Sequence, residues 1–305
     1  MSKKDGYNNM LIFKLSQIGF ALHSTKMFTN RIKDIDDSNN DLDDLYSLQS
    51  NNSIFISITE SNINYRVFTN FLKERNLKLN FYLMQEPYVN NSIIECLLPY
   101  AINIFCQNNN YDHPKVHCMP IGIRDCGSIV SMHPGFHHSY LYEEGLKKRD
   151  KTILCLLCFA VHQHIQDRVV CYELFKNCEF VTNLNNSFYE NNPTAYYGIV
   201  PVPINYEYTH KSKYVLCPRG GGVDTHRFYE AIYLDSIPIV KRTNTVFDKL
   251  FAIFPCLIVD EWSQITEKLL EDNLLDCLEK LKIFKKSYPN AFYDLKSLET
   301  LLLNS

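Results

Sequence analysis

Two arginines and a carboxylate stand around three consecutive glycines: Arg219, Gly220, Gly221, Gly222, Arg227 and Glu230. Asp224, Thr225 and His226 lie between them. Glycines let a backbone approach a bulky anion closely, and guanidinium groups neutralise it through paired hydrogen bonds. A carboxylate one helical turn beyond Arg227 suits hydroxyl donors, so Glu230 is placed to accept hydrogen bonds from a ribose. His226 is placed to touch a diphosphate or a sugar. The chemistry this pattern points to is recognition of a diphosphate joined to a sugar. The same residues would also serve a plain glycine turn in which Asp224 and Arg227 merely cap and pair.

The elements that must position these groups are legible around them. Residues 214–217 form an apolar strand-like run, and Asp224 and Thr225 suit the N-terminus of a helix over residues 226–234. A second apolar run at 237–240 closes the unit. Strand, glycine turn, helix and strand present backbone N–H groups and the positive end of a helix to an anion. No Gly-Lys-Ser/Thr follows the glycines, so this is not a Walker loop, and no strand–GxGxxG–helix opens either half of the chain. The latter excludes a Rossmann-type oxidoreductase.

The rest of the 305 residues divides around a polar middle. Residues 1–50 are poorly patterned, with an Asp/Asn-rich stretch at 34–52 read as a solvated loop. Residues 51–145 alternate strand-like runs (53–58, 79–84, 101–106, 116–123) with helical spacing at 64–75 and 93–100, which predicts a mostly parallel, doubly wound sheet. Residues 124–150 carry His133, His137 and His138 and read as a long loop over a cleft or a linker. A second α/β series occupies 146–305: a buried strand at 151–159, a helix at 166–176, a strand at 179–182, a loop through 183–195, the glycine unit, a short helix at 246–250 and a strand at 256–259. Helical pattern then runs over 265–301 with a break at Tyr288-Pro289, and these last helices could pack back across the first half.

Composition narrows the class. A hydrophobic share of 46% against 21% charged predicts a globular core, and a net charge of −3 without a basic stripe argues against nucleic acid as a partner. Eleven cysteines, mostly inside apolar runs, read as buried thiols of a reducing compartment. Lys14 and Gln17 interrupt the first apolar stretch, so no signal peptide or membrane anchor is expected. The expected location is cytoplasmic, the host cytoplasm if the chain is viral.

The segment CPRGGGVDTHRFYEAIYLDSIPIV at 217–240 resembles the C-terminal motif of exostosin-like glycosyltransferases, in particular small soluble forms from large DNA viruses and microbes. Phe105-Cys106-Gln107-Asn108, His113-Pro114-Lys115 leading into Pro120–Ile123, and the strand 153–159 with Arg168 downstream are also similar to that family. Gly221 stands where the family pattern has Asn, and Asp235 where it has Gly. The resemblance implies a GT-B-like α/β fold, with two Rossmann-like domains facing across a cleft: an acceptor-side domain (51–145) and a donor-side domain (146–305). It implies transfer of a sugar from a nucleotide-sugar donor to a hydroxyl of a glycan or glycoprotein acceptor, with no cofactor and no metal. Arg219, Gly220, Gly221, Gly222, Asp224, Thr225, His226, Arg227 and Glu230 would hold the donor.

A general base would then come from the first half. Glu86 stands at the end of a predicted parallel strand, where ligand sites gather, and Asp125 follows the strand end at 120–123. His117 is the third candidate. Each also fits a surface or capping role. Cys155-x-x-Cys158 with His162 and His164 has the look of a zinc site, but positions three apart on a strand face opposite sides and the run between them is apolar. Among the 20 Tyr and 19 Phe, Tyr229 beside Glu230 is the first candidate for a sugar-stacking platform. The rival to a transferase is a non-catalytic nucleotide- or carbohydrate-binding module. The two separate on whether Glu86, Asp125 or His117 faces Arg219 and Glu230 across the cleft.

Overall fold

A computed structural model describes residues 26–28, 46–58, 64–84, 89–124, 135–161, 165–185 and 200–288, with backbone alone at 26–28, 57 and 135–139. The chain forms two five-stranded sheets in which every strand pair is parallel. The first holds β1 (Lys26–Phe28), β2 (Ser53–Ser57), β3 (Leu79–Met84), β4 (Ala101–Gln107) and β5 (Val116–Met119), side by side in chain order. Helix α1 (Tyr65–Glu74) joins β2 to β3, and α2 (Asn91–Leu97) joins β3 to β4.

Strands laid down in one direction, joined by right-handed crossovers, put their helices on one face. Phe68, Phe71 and Leu72 of α1 and Ile94 and Leu97 of α2 accordingly share a buried cluster with Ile54, Phe81, Leu83 and Ile104. The opposite face, with Phe55, Tyr82 and Phe105, belongs to a cluster that continues into Phe228, Phe247, Phe251 and Phe254 of the other half. The doubly wound order expected for this half is therefore corrected: its sheet is wound one way, and the second half covers its other face. Coverage on both faces explains why β3, LNFYLM, is apolar at nearly every position and does not alternate.

The second sheet holds β6 (Ile153–Leu157), β7 (Val181–Asn183), β8 (Ser212–Leu216), β9 (Ile237–Lys241) and β10 (Leu257–Val259), in the order β10-β9-β8-β6-β7. The winding reverses between β6 and β8, and a crevice opens at the carboxyl ends of such strands. Around this sheet lie α3 (Gly135–Gly145), α4 (Gln166–Phe175), α5 (Val202–Lys211), α6 (His226–Tyr233), α7 (Thr245–Ala252) and α8 (Glu267–Ser287). The two α/β halves face across a cleft in a GT-B-like arrangement. No helix of the described residues is long and apolar enough to cross a membrane.

Three elements depart from the sequence expectation. Helix α3 lies within the stretch read as a long loop, and β1 lies within the segment read as poorly patterned. Helix α5 was not anticipated; it starts directly after Pro201, with Pro203 in its first turn, where a missing N–H costs nothing. Leu281 and Phe284 of α8 belong to the cluster that also holds Phe55 and Phe105, and Phe284 packs on Phe254 of the second half with ring centres 5.6 Å apart.

The end of α6 explains Asp235. Its φ of 59° is left-handed, the Asp235 N–H donates to Ile232 at 3.2 Å and the Ser236 N–H to Ala231 at 2.9 Å. This is a helix stop that glycine usually makes and that Asp tolerates. The carboxylate pairs with Lys285 of α8, at the end of α6 remote from the glycine turn. Asp235→Ala is expected to cost about 1 kcal/mol in urea unfolding, Asp235→Gly less than that, and neither to alter ligand affinity.

Candidate functional site

A cleft of about 580 Å³ opens at the reversal point of the second sheet. Its floor is the chain leaving β6, at Cys158, Phe159 and Ala160. One wall is the glycine turn after β8 and the start of α6; the facing wall is first-half chain at the end of β4 and after β5, at Gln107, Asn108, Ile121 and Arg124. Val200, before α5, and Val202, Asn205 and Tyr206, in its first half, close the side.

Of the residues singled out in the sequence, Gly220, Gly221, Gly222, Thr225, His226, Arg227 and Glu230 border this cleft together. Thr225 takes the N-cap position of α6, but its side chain makes no capping bond, so the helix start is presented without a side-chain acceptor of its own. Arg227, in the first turn, lies with its guanidinium carbon 5.7 Å from the centre of the Phe159 ring. Its Nε is buried without a partner among the described residues. Glu230, only 7% exposed, accepts a hydrogen bond from the Tyr206 hydroxyl at 3.1 Å. His226 Nδ1 lies 2.8 Å from the carbonyl oxygen of Gly122. A carbonyl only accepts, so His226 donates through Nδ1.

Other residues fall elsewhere than expected. Arg219 is exposed at the rim and does not line the cleft; its backbone N–H donates to Asp167 at 3.2 Å. Asp224 reaches the cleft wall but its carboxylate is turned inward, 2% exposed, accepting from the Ile121 N–H and the Tyr229 hydroxyl, each at 2.7 Å. Burial pushes that carboxyl up to about 7, against the lowering effect of the bonds from Ile121 and Tyr229. Tyr229 is fully buried, edge-on to Phe228 and Phe254, so it is core and not a sugar platform. His117 stacks on Phe105 with ring centres 5.2 Å apart and lies 3.3 Å from Asn103, within the sheet and away from the cleft. Glu86, Asp125, His133, His162 and His164 lie outside the described residues, as do the side chains of His137 and His138.

Sequence reasoning missed Arg124 and Tyr206, and left Arg168 unassigned. Arg168 on α4 borders the cleft, with Nε donating to the Arg219 carbonyl and Nη1 to the Ala160 carbonyl, both at 3.0 Å. It thereby ties the chain after β6 to the chain after β8. Burial, and next the neighbouring Arg227, hold its guanidinium below the usual range, at about 10. Three arginines (Arg124, Arg168, Arg227) thus border one space, which Glu230 also lines. Such a site favours a multiply charged anion carrying a group with hydroxyls. Burial pushes the Cys158 thiol up to about 11, which disfavours its thiolate. Among the described residues no group of three His, Cys, Asp or Glu side chains is placed to hold a metal ion.

No family model and no curated protein matches the chain. Similar solved structures include HepE from Anabaena in complex with UDP, at 9% identity and a TM-score of 0.42, over 82% of this chain and 78% of that one. A GtfA/B complex follows at 10% identity and 0.39, over 86% of this chain and 56% of its own. A trehalose-6-phosphate synthase aligns at 12% identity and 0.36, over 81% and 75%. At such scores the likenesses carry no argument about the site, and the fold stands on the strand order of the two sheets.

Proposed function

We propose that the protein is a glycosyltransferase of the exostosin-like type, moving a sugar from a nucleotide-sugar donor to a hydroxyl of a glycan or glycoprotein acceptor. The observation that carries this reading is the grouping of Arg168, Arg227, the glycine turn and Glu230 at the reversal point of the second sheet. In this reading the diphosphate lies against the glycines and the start of α6, and Glu230, steadied by Tyr206, accepts from donor hydroxyls. The acceptor oxygen attacks the anomeric carbon, the bond from that carbon to the phosphate oxygen breaks, and its electron pair leaves with the nucleoside diphosphate. Negative charge grows on that leaving oxygen, where preorganised guanidinium and N–H donors act most strongly. These donors would neutralise the diphosphate without a bound metal. The acceptor proton goes to a base, for which Glu86 and Asp125 remain the candidates.

A second reading is a binding module without catalysis. It is favoured by the first-half wall, which among the described residues offers Gln107, Asn108, Ile121 and Arg124 and no carboxylate or imidazole. A screen of nucleotide sugars for nucleoside diphosphate release separates the two. One donor is expected to be turned over, with at least about a 100-fold loss in Arg168→Ala and in Glu230→Ala and a smaller loss in Arg219→Ala at the rim. Tight donor binding with no release in the presence of glycan acceptors would favour the binding module. Release that survives both Arg168→Ala and Glu230→Ala would sink the site assignment.

A further inference from the structure

We infer that Asn108, a first-half residue, sets the shape of the glycine turn, so that the nucleotide pocket of the second half is completed only by the first. As a statement about ligand affinity this rests on the donor-binding reading above. Asn108 follows β4 directly and has a φ of 47°, a left-handed conformation that Asn adopts more readily than most residues. Its side chain crosses to the second half, where Oδ1 accepts the Asp224 N–H at 2.8 Å.

The same side chain explains why position 222 has none. A Cβ on Gly222 would fall 2.2 Å from Asn108 Nδ2 and 2.4 Å from its Cγ, far inside contact distance. Gly222 is not among the residues with positive φ, so its backbone conformation alone does not call for glycine. The demand comes from Asn108. Within the turn, the Gly220 N–H donates to the Gly222 carbonyl at 2.9 Å. On its far side Asp224 is fixed by Ile121, and His226 by Gly122. The chain from Gly222 to His226 is therefore pinned at three points by the first half, immediately before the helical turn that carries Arg227. Moving the Asp224 N–H would move the start of α6, and with it the anion-facing groups.

The test is a double-mutant cycle of Asn108→Gly and Gly222→Ala, read as affinity for UDP and GDP. Glycine keeps the left-handed backbone at 108 without strain, so the first variant removes the side chain alone. Asn108→Gly is expected to weaken binding about 10-fold and Gly222→Ala at least as much, with the double variant within about 3-fold of Asn108→Gly, because the group that the added methyl would strike is gone. A merely structural role would lower melting temperature in each variant without this rescue of affinity. Penalties that multiply in the double variant, or an Asn108→Gly protein with unaltered affinity, would overturn the inference. If the parent protein binds neither nucleotide, the turn claim is read from hydrogen exchange at the Asp224 amide and stands or falls apart from the donor reading. That exchange should quicken in Asn108→Gly, and no further in the double variant; unchanged exchange in Asn108→Gly would overturn the claim.

Discussion

Replacing Arg227 with alanine is expected to weaken nucleoside diphosphate binding by about 100-fold while shifting the stability of the unliganded protein by no more than about 1 kcal/mol. The loss follows from removing charge-assisted donors, each worth about 1.5–3 kcal/mol, from a partly enclosed site. The stability expectation comes from two opposing effects. Arg227 lies over Phe159, a contact worth about 0.5–1 kcal/mol at a partly exposed site. It also stands beside Arg168, whose charge it disfavours, so its removal relieves a like-charge contact. Burial and Arg227 both disfavour the Arg168 charge, an effect that nearby Asp167 opposes. Calorimetric titration with nucleoside diphosphates, paired with urea unfolding of the unliganded protein, reads both effects. A variant that binds as well as its parent, or that unfolds outright, would show that Arg227 is a structural residue.

Asp224→Ala should cost roughly 2–5 kcal/mol, because it strands the Ile121 N–H and the Tyr229 hydroxyl without their acceptor in a buried site. Asp224→Asn keeps an acceptor oxygen and should fold. The pH dependence then distinguishes the two chemistries. The folded carboxyl titrates at about 7, whereas an unfolded Asp titrates near 3.9. The folded state therefore holds the proton more tightly, so this group's contribution is fully present below about pH 4 and is lost as pH rises through about 7. The full window is worth on the order of 4 kcal/mol. Urea unfolding at pH 5 and pH 8 should show a parent protein that loses stability toward pH 8 and an Asp224→Asn variant in which this loss is greatly reduced. Equal slopes in the two proteins would contradict the assignment.

Asp224 also marks where the sequence stopped being legible. Its place in the motif suggested a cap or a ligand contact, but its partner Ile121 is 103 residues away. No local pattern announces such a bond. Tyr229 was misjudged for the same reason: beside Glu230 in sequence, it turns off the cleft side of α6 and into a cluster shared by both halves. By contrast, β3, β5 and α1 fell where apolar runs and helical spacing put them, since burial on known faces writes itself into residue types. Helix α5 and the start of α3 were hidden by prolines and by polar composition, which read as loop. The second-half wall of the cleft was legible because glycine, arginine and helix start are adjacent in the chain. Arg168, Arg124 and Tyr206 reach it from separate elements, and only the fold brings them there.

Titration of the purified chain with nucleoside diphosphates, set against the matching monophosphates and inorganic pyrophosphate, tests the central claim most directly. At least one nucleoside diphosphate should bind about 10-fold or more tightly than its monophosphate and than pyrophosphate. The first preference reflects the guanidinium groups at the glycine turn, the second Glu230 on the sugar, and Arg227→Ala and Glu230→Ala should each abolish the gain. Absence of binding by every nucleoside diphosphate, or binding that persists unchanged in both variants, would contradict it.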